Sequence, residues 1–290
     1  MKKKNAINRY IIGLLIGLCT LTACFEGEEG CLDVDSLNYD VSADEACADC
    51  CTYPSLSLTF SHKIYQNLDT LNFGYQTPYF NDFGQYFAFE ELSYYISDVG
   101  FVNDAGTSIS VIDLIDLAIL ENNDTTFFEV NDNFVFSQPD NFRAQEVGTF
   151  IYNGSVTALQ FSLGLPEVVQ QTEPTLLPDD HPLATQEPAM YVEDTERYLY
   201  NRIEFFRDTT DFTGVSEVIQ ITDEEDQVNV SLPVSGTIPS GFNVAVTIEV
   251  DYLAWFSGVD FNNDSNETIK SKIVANLADS FQVLAINLSQ

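Results

Sequence analysis

Alternation of apolar and polar residues with a period of two is the strongest structural pattern in this chain. The stretch "SLSLTFSHKI" places Leu56, Leu58 and Phe60 on one face and polar residues on the other. Successive side chains of a β-strand point to opposite faces of a sheet, so the pattern predicts a half-buried strand. Similar runs include "QYFAFEELSYYISDVGFV", "SVTALQFSLGL", "RYLYNRIEFF" and "FNVAVTIEVDYLAWF", separated by turn clusters such as "NDAGTS" and "PSG". Such a chain is expected to form an all-β domain, an antiparallel β-sandwich.

One segment near the end of the chain has a helical period instead. In "NETIKSKIVANLADSF" the apolar residues Ile269, Ile273, Leu277 and Phe281 recur every four positions, and Asn266 is the expected N-cap. The pattern predicts one C-terminal helix that covers the sandwich. The segment "QVLAINL" after it predicts a last strand.

The first residues, "MKKKNAINRYIIGLLIGLCTLTAC", are typical of an export signal. A basic start precedes an apolar run from Ile11 to Leu21, which is shorter than the roughly 20 residues that cross a bilayer. Residues 1–23 are therefore predicted to be a signal peptide. The ending resembles a bacterial lipobox, and this predicts lipidation of Cys24. We expect an outer membrane lipoprotein, on the cell surface or facing the periplasm.

The residues after Cys24, "FEGEEG", resemble the acidic export tag of surface lipoproteins of Bacteroidota, and a solvated spacer is the alternative. The formal net charge of the chain is −34. Loss of residues 1–23, with four Lys and Arg and no acidic residue, would change it to about −38. This charge repels phosphate, so nucleic acid is not an expected partner. The hydrophobic content of 45% is sufficient for a folded core.

Four cysteines follow the lipobox, and they are predicted to form disulfides outside the cytoplasm. They are Cys31, Cys47, Cys50 and Cys51. A bridge between the adjacent Cys50 and Cys51 would be strained, which leaves open the two pairings that join Cys31 and Cys47 to them. Four thiolates on zinc are the alternative. We divide the mature chain into an acidic tether with a Cys-rich module, residues 24–54, and a sandwich domain, residues 55–290.

Signatures of enzymes are absent from the sequence. It has no G-x-S-x-G, no phosphate-binding loop, no dinucleotide fingerprint and no H-E-x-x-H, and it contains two histidines. We therefore expect a protein that is not an enzyme.

The loop "DFNNDSNETIKS" raises the possibility of calcium, because Asp260, Asn262 and Asp264 match the first oxygen positions of an EF-hand loop. Ser265 and Ser271 stand where such a loop has glycine and the bidentate glutamate. Calcium and a plain polar loop before a helix both remain open.

Several segments together resemble a known family. They are "SLSLTFSHKIYQNLDTLNFG", "FGQYFAFEELSYYISDVGFVNDAG", "LQFSLGLP", "HPLATQEPAMYVEDTERYLYNRIEF", "VDYLAWF" and "IKSKIVANLADSF". In this order they resemble the methanobactin-associated periplasmic protein (MbnP-like) family, and most of all its lipoprotein members in Bacteroidota. The resemblance spans about residues 55–285. It implies a β-rich, copper-binding protein, in some cases with a haem-containing redox partner.

Carried over residue by residue, the resemblance places the first-strand histidine at His62. His181 precedes the family's M-Y-W motif, whose first two residues are Met190 and Tyr191. Val192 replaces the tryptophan, the residue that can be oxidatively modified in the characterised proteins. This replacement argues against that modification here.

Copper is thus the expected cofactor, with His62 and His181 as ligands and Met190 and Glu193 as further donors. Imidazole and thioether groups suit copper ions. The alternative is that both histidines are structural or on the surface. The protein would then be an acidic interaction module, displayed at the membrane, that binds a protein or a glycan.

Overall fold

The structure is a computed structural model that describes residues 27–121 and 124–290. The predicted signal peptide and the predicted lipidation site at Cys24 lie outside the described residues. Within them, no helix has the length and apolar character needed to cross a membrane.

The described chain consists mainly of β-strands. The strands are β1 Glu29–Gly30, β2 Glu45–Ala46, β3 Ser55–Gln66, β4 Asp69–Asn72, β5 Tyr79–Phe80, β6 Tyr86–Asn103, β7 Ser108–Ser110, β8 Leu114–Glu121, β9 Asp124–Asn131, β10 Val135–Ser137, β11 Gln145–Thr149, β12 Gly154–Leu163, β13 Tyr191–Val192, β14 Arg197–Tyr198, β15 Asn201–Phe206, β16 Glu217–Ile221, β17 Val228–Ile238, β18 Asn243–Asp251 and β19 Phe281–Ser289. The α-helix α1 spans Asn266–Asn276, and 3-10 turns lie at Glu167–Gln171, Pro174–Leu176, Glu224–Asp226, Ala254–Phe256 and Leu277–Ser280.

Two sheets form the predicted sandwich. The larger sheet has eight strands, with the order β16–β15–β6–β12–β17 and with β5, β7 and β10 paired to β6. The smaller sheet has the order β11–β3–β18–β19, with β4 paired to β3. Strands β3 and β18 are parallel, while the other pairs in these sheets are antiparallel. The all-β sandwich is confirmed.

The core lies between the two sheets. Along β3 the burial alternates as predicted, so that Leu56, Leu58 and Phe60 are buried and the intervening residues are partly exposed. The rings of Phe60 and Tyr94, from the smaller and the larger sheet, lie 6.5 Å apart. Full burial of such a side chain contributes about 1.5–3 kcal/mol. Because His62 continues the same alternation, it also faces this core.

The opposite face of the larger sheet is covered by a third layer. Side chains alternate along a strand, so Tyr95 points away from the core that Tyr94 enters. The ring of Tyr95 lies 5.3 Å from Phe136 and 5.8 Å from Tyr198. We call the β8–β9 hairpin together with residues 164–199 the outer layer. Its two parts are joined where the backbone N–H of Glu173 donates to the carbonyl of Ala118 at 3.1 Å.

The predicted C-terminal helix is confirmed, but two local details differ. Its N-cap is Ser265 rather than Asn266, because the hydroxyl of Ser265 accepts from the backbone N–H of Thr268 at 3.2 Å. The strand predicted through "DYLAWF" ends at Asp251. Trp255 lies in a 3-10 turn instead, fully buried, and its indole N–H donates to the hydroxyl of Ser280 at 2.8 Å.

The Cys-rich module is cross-linked by the disulfides Cys31–Cys51 and Cys47–Cys50, one of the two pairings left open by the sequence. The module also touches the sandwich at the turn between β17 and β18. Gly241 there has a φ of +71°, and an added Cβ would lie 2.6 Å from the carbonyl oxygen of Ser36. This close approach requires glycine, so the module packs on the sandwich at this point.

Candidate functional site

His62 lies between the two sheets, at the end of the alternating pattern of β3. Its register partner is Val250 of β18, and Tyr252 follows two residues further on. Nδ1 of His62 lies 2.7 Å from Oη of Tyr252, and the two rings stack with 5.7 Å between their centroids. On the other side, Nε2 lies 3.4 Å from the carbonyl oxygen of Asn141, beside the ring of Phe142. His62 is only 4% exposed.

The surroundings keep the ring of His62 neutral. Burial lowers its pKa to about 4 from 6.5, although the contact with Asn141 and the charge of Asp140 act in the opposite direction. A carbonyl oxygen can only accept, so this network places the proton on Nε2. Nδ1 then accepts from the hydroxyl of Tyr252, which lies 3.2 Å from the hydroxyl of Tyr94.

His181 occupies a different environment, in the outer layer, and is 9% exposed. Its Nδ1 accepts from the backbone N–H of Leu183 at 3.1 Å. Nε2 therefore carries the proton and donates to Oδ1 of Asp132, also at 3.1 Å. The ring of Phe134 lies 6.3 Å away. These contacts hold the loop after Pro178 against the chain that leads into β10.

The structure does not bring the two predicted copper ligands together. His62 faces the core between the sheets, whereas His181 belongs to the outer layer on the other side of the larger sheet. Hydrogen bonds engage both nitrogens of each ring, so neither presents a free lone pair to a metal. Across residues 27–121 and 124–290, no group of three or more His, Cys, Asp or Glu is placed to hold a metal ion. In this arrangement the two histidines do not fit the expected copper site. Copper binding stays a prediction.

Met190 and Glu193, the further donors expected from the sequence, do share a site. Both line a cavity of about 790 Å³ in the outer layer, to which neither histidine contributes. Met190 is buried, and its carbonyl accepts from the backbone N–H of Leu199 at 2.7 Å. Val192, in place of the family's tryptophan, pairs with Arg197 in the short β13–β14 ribbon. Part of the lining of this cavity thus comes from the stretch that carries the family motif.

The loop predicted to bind calcium is occupied by a positively charged side chain, that of Lys272. The ammonium of Lys272 forms an ion pair with Asp264 and also donates to the carbonyl of Gly258 at 2.8 Å. The hydrogen bond from Lys272 to the carboxylate of Asp264 lowers the pKa of Asp264. Asp260 accepts from the backbone N–H of Asn262 at 3.0 Å and from the side chain of Gln85 at 2.7 Å. The carboxylates of Asp260 and Asp264 are therefore already engaged with groups of the chain.

The comparison with protein families now gives a direct result. A family model described as MbnP matches residues 53–272. The chain belongs to the MbnP family. This match spans most of the sandwich and begins at the end of the Cys-rich module, close to the predicted boundary at residue 55.

The comparisons with individual proteins give weaker results than the family model. Among solved structures, MbnP from Methylosinus trichosporium is similar at 12% identity and a TM-score of 0.36, over 70% of this chain and 76% of that chain. No curated protein matches the chain.

Sequence reasoning missed the residues that hold the two histidines in this MbnP-family chain. Tyr252 and Asn141 lie 190 and 79 residues from His62, and no local pattern connects them. It also missed Tyr95, a cavity residue, although the alternation of β6 could have shown that the two tyrosines of "SYYI" lie on opposite faces.

Proposed function

We propose that this MbnP-family protein is an exported, lipid-anchored binding protein without catalytic activity, in which His62 and His181 are structural residues. One observation carries the proposal: all four ring nitrogens of the two histidines are hydrogen-bonded to the chain, on opposite faces of the larger sheet. A histidine that is a metal ligand needs one nitrogen with a free lone pair.

Export and anchoring are supported by two separate features. The lipobox ending at Cys24 predicts a lipid on the first residue of the mature protein. The two disulfides soon after it, Cys31–Cys51 and Cys47–Cys50, are typical of an oxidising compartment outside the cytoplasm. Labelling with a fatty acid analogue tests the anchor: the label should be incorporated, and Cys24→Ala should abolish it.

Copper binding is the second candidate, and the neutrality of His62 favours it because copper requires an unprotonated imidazole. In this candidate His62, His181, Met190 and Glu193 supply the donors, and a haem-containing redox partner takes part. The outer layer would have to move for His181 to reach His62. At the least, His62 would also have to release Tyr252 or Asn141.

A titration distinguishes the two candidates. Purified protein is titrated with Cu²⁺ by calorimetry and EPR, beside the double variant His62→Ala, His181→Ala and beside Met190→Leu. The proposal predicts less than about 0.1 equivalent bound at micromolar affinity, in all three proteins alike. One tight equivalent that is lost in the histidine variant would replace the proposal with the copper candidate.

A further inference from the structure

The cavity in the outer layer has the size of a small-molecule site. Its volume of about 790 Å³ falls in the range of roughly 300–1,000 Å³ that is usual for ligand pockets. It lies between the β8 strand, which contributes Ile119 and Leu120, and the segment from Glu167 to Tyr198. The cavity therefore combines an apolar wall with a wall that carries the carboxylates of Glu167, Glu173, Glu193 and Glu196.

A buried hydroxyl without a partner forms part of this cavity. Tyr95 is 0% exposed and lines the cavity, and in the described structure its Oη has no hydrogen-bond partner. A buried polar group in a native protein is normally paired, because an unpaired one loses its bonds to water without replacement. A ligand with a polar group in the cavity would supply the missing bond.

Tyrosine rings form the wall next to that hydroxyl. Tyr198 lies edge-to-face with Tyr95 at 5.8 Å and with Tyr191 at 5.0 Å, with interplanar angles of 84° and 72°. The hydroxyl of Tyr198 is already used, since it donates to the carbonyl of Leu183 at 2.8 Å. The faces of tyrosine rings attract cations, and the rings also offer a large apolar surface.

The charge around this wall is negative. Glu173, Glu193 and Glu196 line the cavity. Together with burial, which has the larger effect, these three carboxylates raise the pKa of Tyr191. Arg197 also lines the cavity; its Nη2 is paired with Glu167 at 2.7 Å, and in the described structure its Nε has no hydrogen-bond partner. The carboxylates near Tyr191 thus lack a basic side chain of their own among the lining residues.

We propose that this cavity binds a small organic cation, an ammonium or guanidinium group attached to a short apolar or aromatic body. The cationic group lies among Glu173, Glu193 and Glu196 and against Tyr191, and the apolar body lies between Tyr198 and the β8 wall. A polar atom of the ligand pairs with the hydroxyl of Tyr95. This assignment rests on the proposed function, for which it names the ligand class.

Phenethylamine, a cation at neutral pH, is the probe for the first experiment. Its binding to the purified full chain is measured by NMR titration at low salt, with 2-phenylethanol and 3-phenylpropionate as the neutral and anionic analogues. Saturable binding of the amine, at least about fivefold tighter than the alcohol and weakened by salt, supports the proposal. No saturation below about 10 mM, or equal binding of amine and alcohol, overturns it.

Variants locate the binding. The double variant Glu193→Gln, Glu196→Gln should weaken amine binding about fivefold, as expected for two exposed charges near a cation. Its matched control is the double variant Asp104→Asn, Glu146→Gln, which removes the same charge from positions outside the cavity and should change binding less than twofold. Equal weakening in both would show general attraction by the acidic surface, and would overturn the assignment to this cavity.

Tyr95→Phe tests the buried hydroxyl separately. Removing an unpaired hydroxyl should leave the melting temperature unchanged or raise it, whereas binding of phenethanolamine, which adds a hydroxyl to the amine, should weaken at least about threefold. Unchanged binding would remove Tyr95 from the site. A tight copper equivalent in the titration above would overturn the proposed function yet leave the amine result intact, so the two failures are distinguishable.

Discussion

In the core between the two sheets, His62 and Tyr252 form a hydrogen bond with 2.7 Å between Nδ1 and Oη. Their rings are nearly parallel, with an interplanar angle of 10°. The hydroxyl of Tyr94, 3.2 Å from that of Tyr252, extends this bond into a chain that crosses from the larger sheet to the smaller one. Buried polar groups are stable only when they are paired. The hydrogen-bonded series Tyr94–Tyr252–His62 therefore gives His62 a structural role that needs no metal.

Acid should destabilise the protein through His62. Its pKa is about 4 in the folded protein against an ordinary value of 6.5, so between these values the unfolded chain binds more protons. The contribution to stability is complete above pH 6.5 and is lost as the pH falls toward 4. At pH 4.5 we expect a loss of about 2 kcal/mol relative to pH 7.

Urea unfolding at pH 7 and pH 4.5 measures this loss. Other groups also titrate in the interval, so the comparison is with His62→Gln, which cannot titrate. The difference in the free energy of unfolding between the two pH values should be about 2 kcal/mol larger in the native protein than in the variant. The same difference in both proteins would contradict burial of a neutral His62.

Removing the hydroxyl of Tyr252 should also destabilise the fold. In Tyr252→Phe, Nδ1 of His62 loses its donor inside the core and is left unpaired, at a cost of about 1–3 kcal/mol in the free energy of unfolding. Tyr53→Phe is the control, because that hydroxyl donates to Asp33 on the exposed module. Its expected cost is below about 0.5 kcal/mol. Equal values for the two variants would speak against the buried network.

The sandwich was predictable because its signal is local. The period of β3 and the four-residue period of α1 both express burial on one side of an element. The site was less predictable, because it depends on contacts between distant segments. Nothing near His181 in the sequence shows that Asp132 will hold its ring, and nothing near His62 shows that the larger sheet will separate it from His181.

Competition between neighbouring residues and local side-chain contacts explains two smaller errors of the sequence prediction, the N-cap of α1 and the end of β18. Ser265 and Asn266 are both good N-cap residues, and the choice between them depends on which backbone is extended before the helix begins. Trp255 follows an apolar run, yet the chain turns after Asp251, whose carboxylate accepts from the backbone N–H of Leu253 at 3.1 Å. Such side-chain contacts with the backbone end a strand without changing its apolar pattern.

Reduction of the disulfides should loosen the module without unfolding the sandwich. Cys31 is buried in the module and Cys31–Cys51 closes it, whereas the sandwich has its own core. Under a phosphine reductant we expect proteolysis to begin within residues 31–54 and to leave a stable fragment that starts near residue 55. Cys31→Ser with Cys51→Ser should behave like the reduced protein. Complete digestion of the sandwich after reduction would contradict this division.

Calcium should not change stability, because Lys272 already provides the positive charge beside Asp264. The melting temperature in 5 mM CaCl₂ and in chelator should agree within about 1 °C, a shift that corresponds to less than roughly 0.5 kcal/mol. Lys272→Met frees the carboxylate of Asp264 and is the informative variant. A higher melting temperature with calcium in the native protein would support calcium binding by this loop. A higher melting temperature only in the variant would show that Lys272 excludes the ion.

The protonation of the two rings tests the central claim, that both histidines are structural. The chain has only two histidines, so long-range ¹H–¹⁵N spectra of the purified protein resolve each imidazole, with His62→Gln for assignment. At pH 7 His62 should be neutral with its proton on Nε2. The ring of His181 should carry a proton on Nε2, and one equivalent of Cu⁺, which leaves the spectra sharp, should change neither ring. A shift of the ring nitrogens of both histidines at one equivalent would contradict the claim and establish a copper site.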